Sequence, residues 1–489
     1  MADIPLTPPQ RWRKPRGMRQ VDLCVIGSGP GGQKAAIQAA KLGKRVCVVE
    51  RREQLGGVAV HTGTIPSKAL REMILRAGGI RSAAPRLEDF LAAGRAATLK
   101  QLWSYYDKVI QTEVQIVQKQ LAQNQIELIY GQARFVDPHT VEVAGLTGTE
   151  TVTADAFVVA VGSVPARPPQ VPFDGTTVFT TDELFGLPAV PHSMIVVGGG
   201  VIGTEYASML AVLGVRVTLI ESRPRLLEFV DGEIIEALQY HLRQNGLALR
   251  LGEHVEHIRV VPATGGGQSA TGRMAEVTLA SGKSVVADCL MYCIGRQGAT
   301  ADLDLAAVGL AADERGRLRV DANFATAVPH VRAVGDVIGF PALASTSMEQ
   351  GRVAACRLYD APCDAMVALL PYGIYAIPEI ATVGRSEEDL TGAGIPYETG
   401  VAQYREIARG QLLGDEIGML KLLIQQDTHA VLGAHALGTG ATELIHIAQA
   451  VMALGGTADY FVDAVFNYPT LAECYRVAAL NGLNKLRNA

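Results

Sequence analysis

Two stretches of the chain combine glycines and a carboxylate in the order that phosphate and ribose recognition requires. In VDLCVIGSGPGG an apolar, β-rich run from Val21 to Ile26 turns through Gly27, Gly29 and Gly32. A helical pattern follows (Ala35, Ala36, Ala39, Ala40, Leu42), then Gly43, then a second strand from Arg45 to Val49 that ends in Glu50. The glycines let the backbone approach a pyrophosphate, and the helix N-terminus offers free N–H groups and the positive end of its dipole. The acid then accepts hydrogen bonds from a ribose. The device returns in MIVVGGGVIGTEYASMLAVLGVRVTLIE, where Gly198, Gly200 and Gly203 open a helix and the strand Val215 to Ile220 leads to Glu221. First glycine and acid stand 23 positions apart in both copies. Two dinucleotide sites in one chain suggest one nicotinamide nucleotide and one flavin dinucleotide, or a kinetic relay between them; a flavin can keep two electrons between encounters and a nicotinamide cannot.

These motifs set the elements that must carry them: strand, glycine turn, helix and strand, twice over. A chain of 489 residues exceeds the ~250–300 at which single cores stop growing, so several domains are expected. With 48% hydrophobic and 19% charged residues and 52 glycines, the composition is that of an α/β protein with many tight turns. A formal charge of −5 gives no global attraction to nucleic acid or an anionic membrane. The exception is local: Arg11, Arg13, Lys14, Arg16 and Arg19 crowd a proline-rich N-terminal arm that reads as a solvated tail, with an organelle-targeting arm as the alternative. No apolar run reaches the ~18–20 residues of a membrane helix, and a cytoplasmic location is expected. Seven scattered cysteines argue against a secreted disulfide framework. The one close pair, Cys289 and Cys293, lies in an apolar strand-like run with no His or further Cys beside it, so no metal site is expected.

Beyond the two turns, LGGVAVHTGTIPSKAL (Leu55 to Leu70), VVAVGSVPARPP (Val158 to Pro169), TAVPHVRAVGD (Thr326 to Asp336), IPEIATVG and FNYPTLAECYRVAAL resemble segments of the flavoprotein disulfide reductases, over about Gln20 to Leu486. That resemblance implies an α/β fold with two Rossmann-like FAD- and NAD(P)-binding domains, one inserted in the other, and a C-terminal α+β dimerisation domain. The expected divisions are a basic arm over 1–19, an FAD-binding domain over 20–163 and 299–365, an NAD(P)-binding domain over 164–298 and an interface domain over 366–489. The polar helical stretch Arg86 to Gln125 falls in the FAD domain. The resemblance further implies FAD contacts from Gly27, Gly29, Gly32, Glu50, Arg51, Gly56, Gly57, Thr64, Lys68, Ala133, Gly162, Asp336 and Ala344. For the nicotinamide nucleotide it implies Gly198, Gly200, Ile202, Gly203, Glu205, Glu221, Arg223, Arg225 and Gly295. Lys68 and Glu205 match the family's ion pair beside flavin N5, where a cation stabilises negative charge and the carboxylate keeps it charged and oriented. A homodimer or higher homo-oligomer is implied as well.

The departures carry as much information as the matches. The family places redox cysteines in two slots that here hold Ala59 and Thr64, one without a nucleophile and one with a hydroxyl that cannot cycle through a disulfide. Its proton-shuttling His is replaced by Tyr468, and a phenol with pKa near ~10 is a poor base at neutral pH. Disulfide reduction therefore has no means here, while hydride transfer between nicotinamide and flavin needs no protein acid or base. GTIPSKALR, FNYPT and YRVAALNGLN resemble the branch of the family that passes hydride between NADPH and NAD⁺. Such an enzyme must accept both nucleotides: Glu221 suits the ribose hydroxyls of NAD(H), and arginines suit the 2′-phosphate of NADP(H). Arg223 and Arg225 are either those arginines or solvated residues of a surface loop. Rival readings are an NAD(P)H dehydrogenase passing electrons to quinones or dyes, and an idle flavoprotein used as a binding component.

Overall fold

The computed structural model describes residues 19–77, 95–263, 271–366 and 369–488. Arg11, Arg13, Lys14 and Arg16 of the basic arm and residues 86–94 of the polar stretch lie outside them. Arg19 is the first residue of the first strand, Arg19–Ile26, and ion-pairs with Glu127 and Glu150. The polar stretch forms helix Arg95–Gln123. The chain divides into two compact units. One comprises residues up to Val58 with Glu113–Val164 and Gln297–Met366; the other comprises Ala59–Thr112, Pro165–Arg296 and residues from Val367 onward.

The first unit is built on a mixed seven-stranded sheet. Its centre is Arg19–Ile26, parallel to Val46–Glu50 on one side and to Gly148–Val159 on the other. Leu23 to Val25 and Val46 to Val49 are buried almost completely, the continuous apolar pattern of parallel strands covered on both faces. Helix Pro30–Lys41 connects the first two strands. Proline at its first turn costs no hydrogen bond, since that N–H would have no partner. Ala35, Ala36 and Ala39 bury its small-residue face against the sheet. On the other flank it meets helix Ala344–Leu358 so closely that a Cβ on Gly351 would come within 2.0 Å of the Gly31 carbonyl oxygen.

The second unit holds three sheets. Five parallel strands run in the order Ala248–Leu251, Arg216–Glu221, Ser193–Val197, Cys289–Tyr292 and Val178–Phe179, with helix Val201–Val212 after the third of these. An antiparallel three-stranded sheet spans Val255–Pro262, Arg273–Leu279 and Ser284–Ala287. The C-terminal part forms an antiparallel five-stranded sheet (Tyr372–Ile374, Ile380–Gly384, Val431–Leu437, Met419–Gln425, Tyr397–Gln403) packed with helices Ala441–Ala453 and Glu473–Asn488.

A buried charge cluster fastens the C-terminal sheet to helix Gly232–Gln244. Lys421 is wholly buried; its ammonium lies 2.8 Å from the equally buried Asp231 and 2.9 Å from Glu233, and also contacts Glu387. Burial works against the ammonium, but hydrogen bonds to Asp231, Glu387 and Glu233 overcome it and raise the Lys421 pKa above its ordinary value. The three carboxylates are close enough to share a cation, and the lysine supplies one. Lys421→Met would leave Asp231 as an uncompensated buried charge. We expect it to lower unfolding stability by ~3–5 kcal/mol in denaturant titrations at neutral pH.

Candidate active site

The first cradle closes around one carboxylate. Gly27 sits at φ +106°, and a Cβ on Gly32 would lie 1.9 Å from the Gly27 carbonyl oxygen, so the helix can start this close to the strand only without side chains. At Gly29, the N-cap, an added Cβ would meet nothing within 4 Å, which leaves open space in front of the helix N-terminus. Glu50, buried at the end of its strand, accepts from the Ser28 N–H at 3.0 Å, the Ser28 hydroxyl at 2.6 Å and the Arg52 N–H at 2.9 Å. The Ser28 hydroxyl also accepts the Gly56 N–H at 3.0 Å, which ties in the loop of Gly56 and Gly57. Asp336 receives the Ser163 hydroxyl at 2.7 Å beside Gly162, whose Cβ position is also open. Ala133 is buried in strand Gln132–Asp137, Arg51 is exposed, and Ala344 begins its helix. Empty space at the N-cap, an N-terminus without side-chain caps and a carboxylate at the strand end fit a dinucleotide.

The second cradle repeats the first almost atom for atom. Gly198 sits at φ +108°, a Cβ on Gly203 would lie 1.9 Å from the Gly198 oxygen, and Gly200, the N-cap, faces open space. Both helices have 12 residues. Gly198, Gly200, Glu221, Arg223 and Gly295 line a cavity of about 940 Å³, together with Tyr292, His254 and His257. Ile202, Gly203, Glu205 and Arg225 do not line it. Arg225 instead holds Glu388 at 2.8 Å and the Glu228 carbonyl at 3.2 Å.

Arg223 is folded back on Glu221. Its Nε donates to Oε1 at 3.0 Å and its Nη2 to Oε2 at 2.9 Å, while the Arg223 and Gly199 N–H groups add bonds of 3.0 and 2.6 Å. The Ser222 hydroxyl completes the set at 3.2 Å. Five donors thus converge on the roughly four lone-pair positions of a carboxylate, leaving none for a ribose. Burial opposes ionisation of Glu221, but these bonds outweigh it, led by the Arg223 side chain, and hold the carboxyl at about 2. Burial also raises the Cys289 thiol and pushes Cys293 up to about 12, which keeps that pair protonated.

Lys68 and Glu205 meet within the second unit. Lys68 Nζ donates to both Glu205 oxygens, at 3.0 and 2.9 Å, and to the Ser67 hydroxyl at 3.2 Å. Glu205 is buried and Lys68 about a quarter exposed. Three residues along the helix from Lys68, Arg71 makes a buried pair with Glu379 at 2.8 Å and donates to the Ala376 carbonyl at 3.1 Å. Sequence reasoning missed Ser28 and Ser163, each adjacent in sequence to a motif glycine. It also took the segment YAIPE, Tyr375 to Glu379, only as part of the interface domain, although proline and acid after an aromatic mark a fixed loop.

Two glycine cradles and a part-buried Lys–Glu pair in one α/β chain fit an oxidoreductase of the two-nucleotide class. The chain belongs to the pyridine nucleotide-disulphide oxidoreductases, whose sequence profile matches residues 21–351 and whose dimerisation-domain profile matches residues 370–479. Among curated relatives, the soluble pyridine nucleotide transhydrogenase of Mycobacterium tuberculosis is 50% identical over 477 residues, 96% of this chain and 98% of its own. That of Colwellia psychrerythraea is 43% identical over 470 residues, 95% and 98% of the two chains. Among solved structures, an HOCl-induced flavoprotein disulfide reductase from Escherichia coli superposes with TM-score 0.80 at 26% identity, covering 94% of this chain and 99% of its own. LpdA from Mycobacterium tuberculosis gives 0.82 at 25% identity, with the same coverage.

Two outcomes follow from the geometry. Gly29→Ala and Gly200→Ala have room for the methyl group and negative φ, so unfolding stability should stay within ~0.5 kcal/mol of wild type while dinucleotide affinity falls, as read by calorimetric titration. The Glu221 carboxyl is depressed in the folded chain, so its contribution to stability is complete above the ordinary value of 4.5 and lost as pH falls towards about 2. The stability difference between wild type and Glu221→Gln should therefore shrink across that window and stay constant above it.

Proposed function

We propose that the chain is an FAD-dependent NAD(P)⁺ transhydrogenase that moves hydride between NADPH and NAD⁺ in a ping-pong cycle, without a redox-active disulfide. The observation that carries this reading is a combination in one chain. Both cradles and the Lys68–Glu205 pair are intact, while Ala59 and Thr64 stand in the slots where disulfide chemistry needs thiols. The name shared by relatives at 43–50% identity supports it. FAD, when bound, supplies a two-electron store that accepts hydride from one nicotinamide and returns it to another. We assign Gly27, Gly29, Gly32, Glu50, Arg51, Gly56, Gly57, Ala133, Gly162, Asp336 and Ala344 to holding it. To Lys68 we assign the cation that favours negative charge on the bound cofactor, with Glu205 keeping that cation oriented. We further propose a homodimer, in keeping with the dimerisation-domain match, and a cytoplasmic location. No helix among the described residues is long and apolar enough to cross a membrane.

The saturated Glu221 carboxylate supports dual nucleotide use. A ribose with free hydroxyls reaches Glu221 only by displacing Arg223, and the same displacement frees Arg223 for a 2′-phosphate. One side-chain movement therefore serves both nucleotides. Arg225 holds Glu388 and is not among the residues that line the cavity, and we assign it no part in the exchange.

The decisive experiment sets NADPH against an NAD⁺ analogue and against a quinone at matched concentrations. The proposal requires fast nucleotide reduction; a wide margin in favour of the quinone would replace it with a dehydrogenase, and failure of NADPH to bleach the flavin in stopped flow would make the protein idle. Reduced enzyme should also lack the long-wavelength thiolate-to-flavin absorbance. Arg223→Ala should raise KM for NADPH roughly tenfold, as expected for loss of one charged hydrogen-bonding partner, and should not raise that for NADH, because no guanidinium then has to be displaced from Glu221. Arg225→Ala should change neither.

A further inference from the structure

The Lys68 ammonium has a third partner that the family resemblance did not supply. Its Nζ lies 4.5 Å from the centroid of the Tyr375 ring, within the range of a cation–π contact. The Tyr375 N–H donates to Glu205 Oε1 at 2.8 Å, the oxygen that also accepts from Lys68. One residue thus touches both members of the pair, the cation through its ring and the anion through its backbone.

The backbone around Tyr375 is fixed on both sides. The Ile377 N–H donates to the Ser208 hydroxyl at 3.0 Å, and that hydroxyl donates to the Glu205 carbonyl at 2.7 Å, so this segment is stitched to the helix carrying Glu205. Arg71 reaches the Ala376 carbonyl and Glu379 from the helix carrying Lys68. Ring, peptide N–H and flanking bonds leave little freedom for the ring to leave the ammonium.

We infer that Tyr375 is a positioning residue for the Lys68 cation: its ring face holds the ammonium in place and its N–H orients Glu205, so that it tunes the reduction equilibrium of the bound flavin without touching it. This rests on the role proposed above for Lys68. A ring with its negative face toward the ammonium limits the positions the flexible lysine side chain can take. Without it the cation spreads over more positions and favours the reduced cofactor less.

The test is the midpoint potential of the flavin in the holoenzyme, measured by equilibration with reference dyes. Tyr375→Leu should disfavour reduction about twofold to fivefold, or ~9–21 mV more negative for a two-electron couple, and Tyr375→Phe should restore the wild-type value. If the leucine variant does not fold, a series of phenylalanines with increasing ring fluorination at position 375 weakens the ring face at nearly constant shape. It should lower the potential stepwise. A flat series, or a Tyr375→Phe shift as large as that of Tyr375→Leu, would overturn the inference. Lys68→Met separates the two levels. If it lowers the potential while every change at position 375 is silent, the role of Tyr375 alone fails; if both are silent, the assignment of Lys68 fails and that of Tyr375 with it.

Discussion

Everything at the two nucleotide cradles depends on a distance that no side chain tolerates. A Cβ at Gly32 or Gly203 would stand 1.9 Å from the carbonyl oxygen of the first turn glycine, so each helix begins directly against the strand that feeds it. That contact aims the helix N-terminus at the mouth of the sheet and puts it beside the end of the next strand, where Glu50 and Glu221 stand. Both acids are then consumed structurally, Glu50 by Ser28 and Glu221 by Arg223 and Gly199. An open helix N-terminus and a carboxylate at the next strand end are consequences of one close approach, and both suit a dinucleotide.

The two acids nevertheless differ in a way that matters for chemistry. Glu50 is held by neutral donors, Ser28 of the glycine turn and the Arg52 N–H, an arrangement suited to a cofactor that stays bound. Glu221 is held by a cation on a chain of rotatable bonds, with its guanidinium at the cavity wall and partly exposed. An exchangeable partner suits a site where one nucleotide must leave before another enters. Glu205 is also held by a cation, Lys68, but this pair is contacted by Tyr375, whose segment is tied down by Arg71.

Much of this was legible in the sequence because the glycine motifs encode backbone geometry directly. The two cradles, the order of strand and helix, and the α/β class with a C-terminal α+β domain could be read from local pattern alone or with the family resemblance. Lys68 and Glu205, 137 positions apart, were paired only by that resemblance, since nothing in either local sequence points to the other. Tyr375 was hidden for the same reason: its contacts are made by a ring face and a peptide N–H, and neither leaves a mark in composition or spacing. Arg223 and Arg225 looked equivalent as neighbours in one short run. Their fates diverged because Glu388, far away in the chain, captures one of them. Cys289 and Cys293, both free, were legible as small hydrophobes from their apolar surroundings, and burial keeps their thiols protonated.

The loop after Glu221, to which we assign nucleotide selection, is itself bolted down elsewhere. Between Glu221 and helix Gly232–Gln244 it sends Arg225 to Glu388 and Asp231 to Lys421, and both partners belong to the C-terminal part of the chain. The second nucleotide fold is consequently not a portable module. Excised or transplanted into another protein, it would carry a buried aspartate stripped of its counter-ion and an arginine released to compete for phosphate. The geometry of its Glu221 loop is a property of the whole second unit.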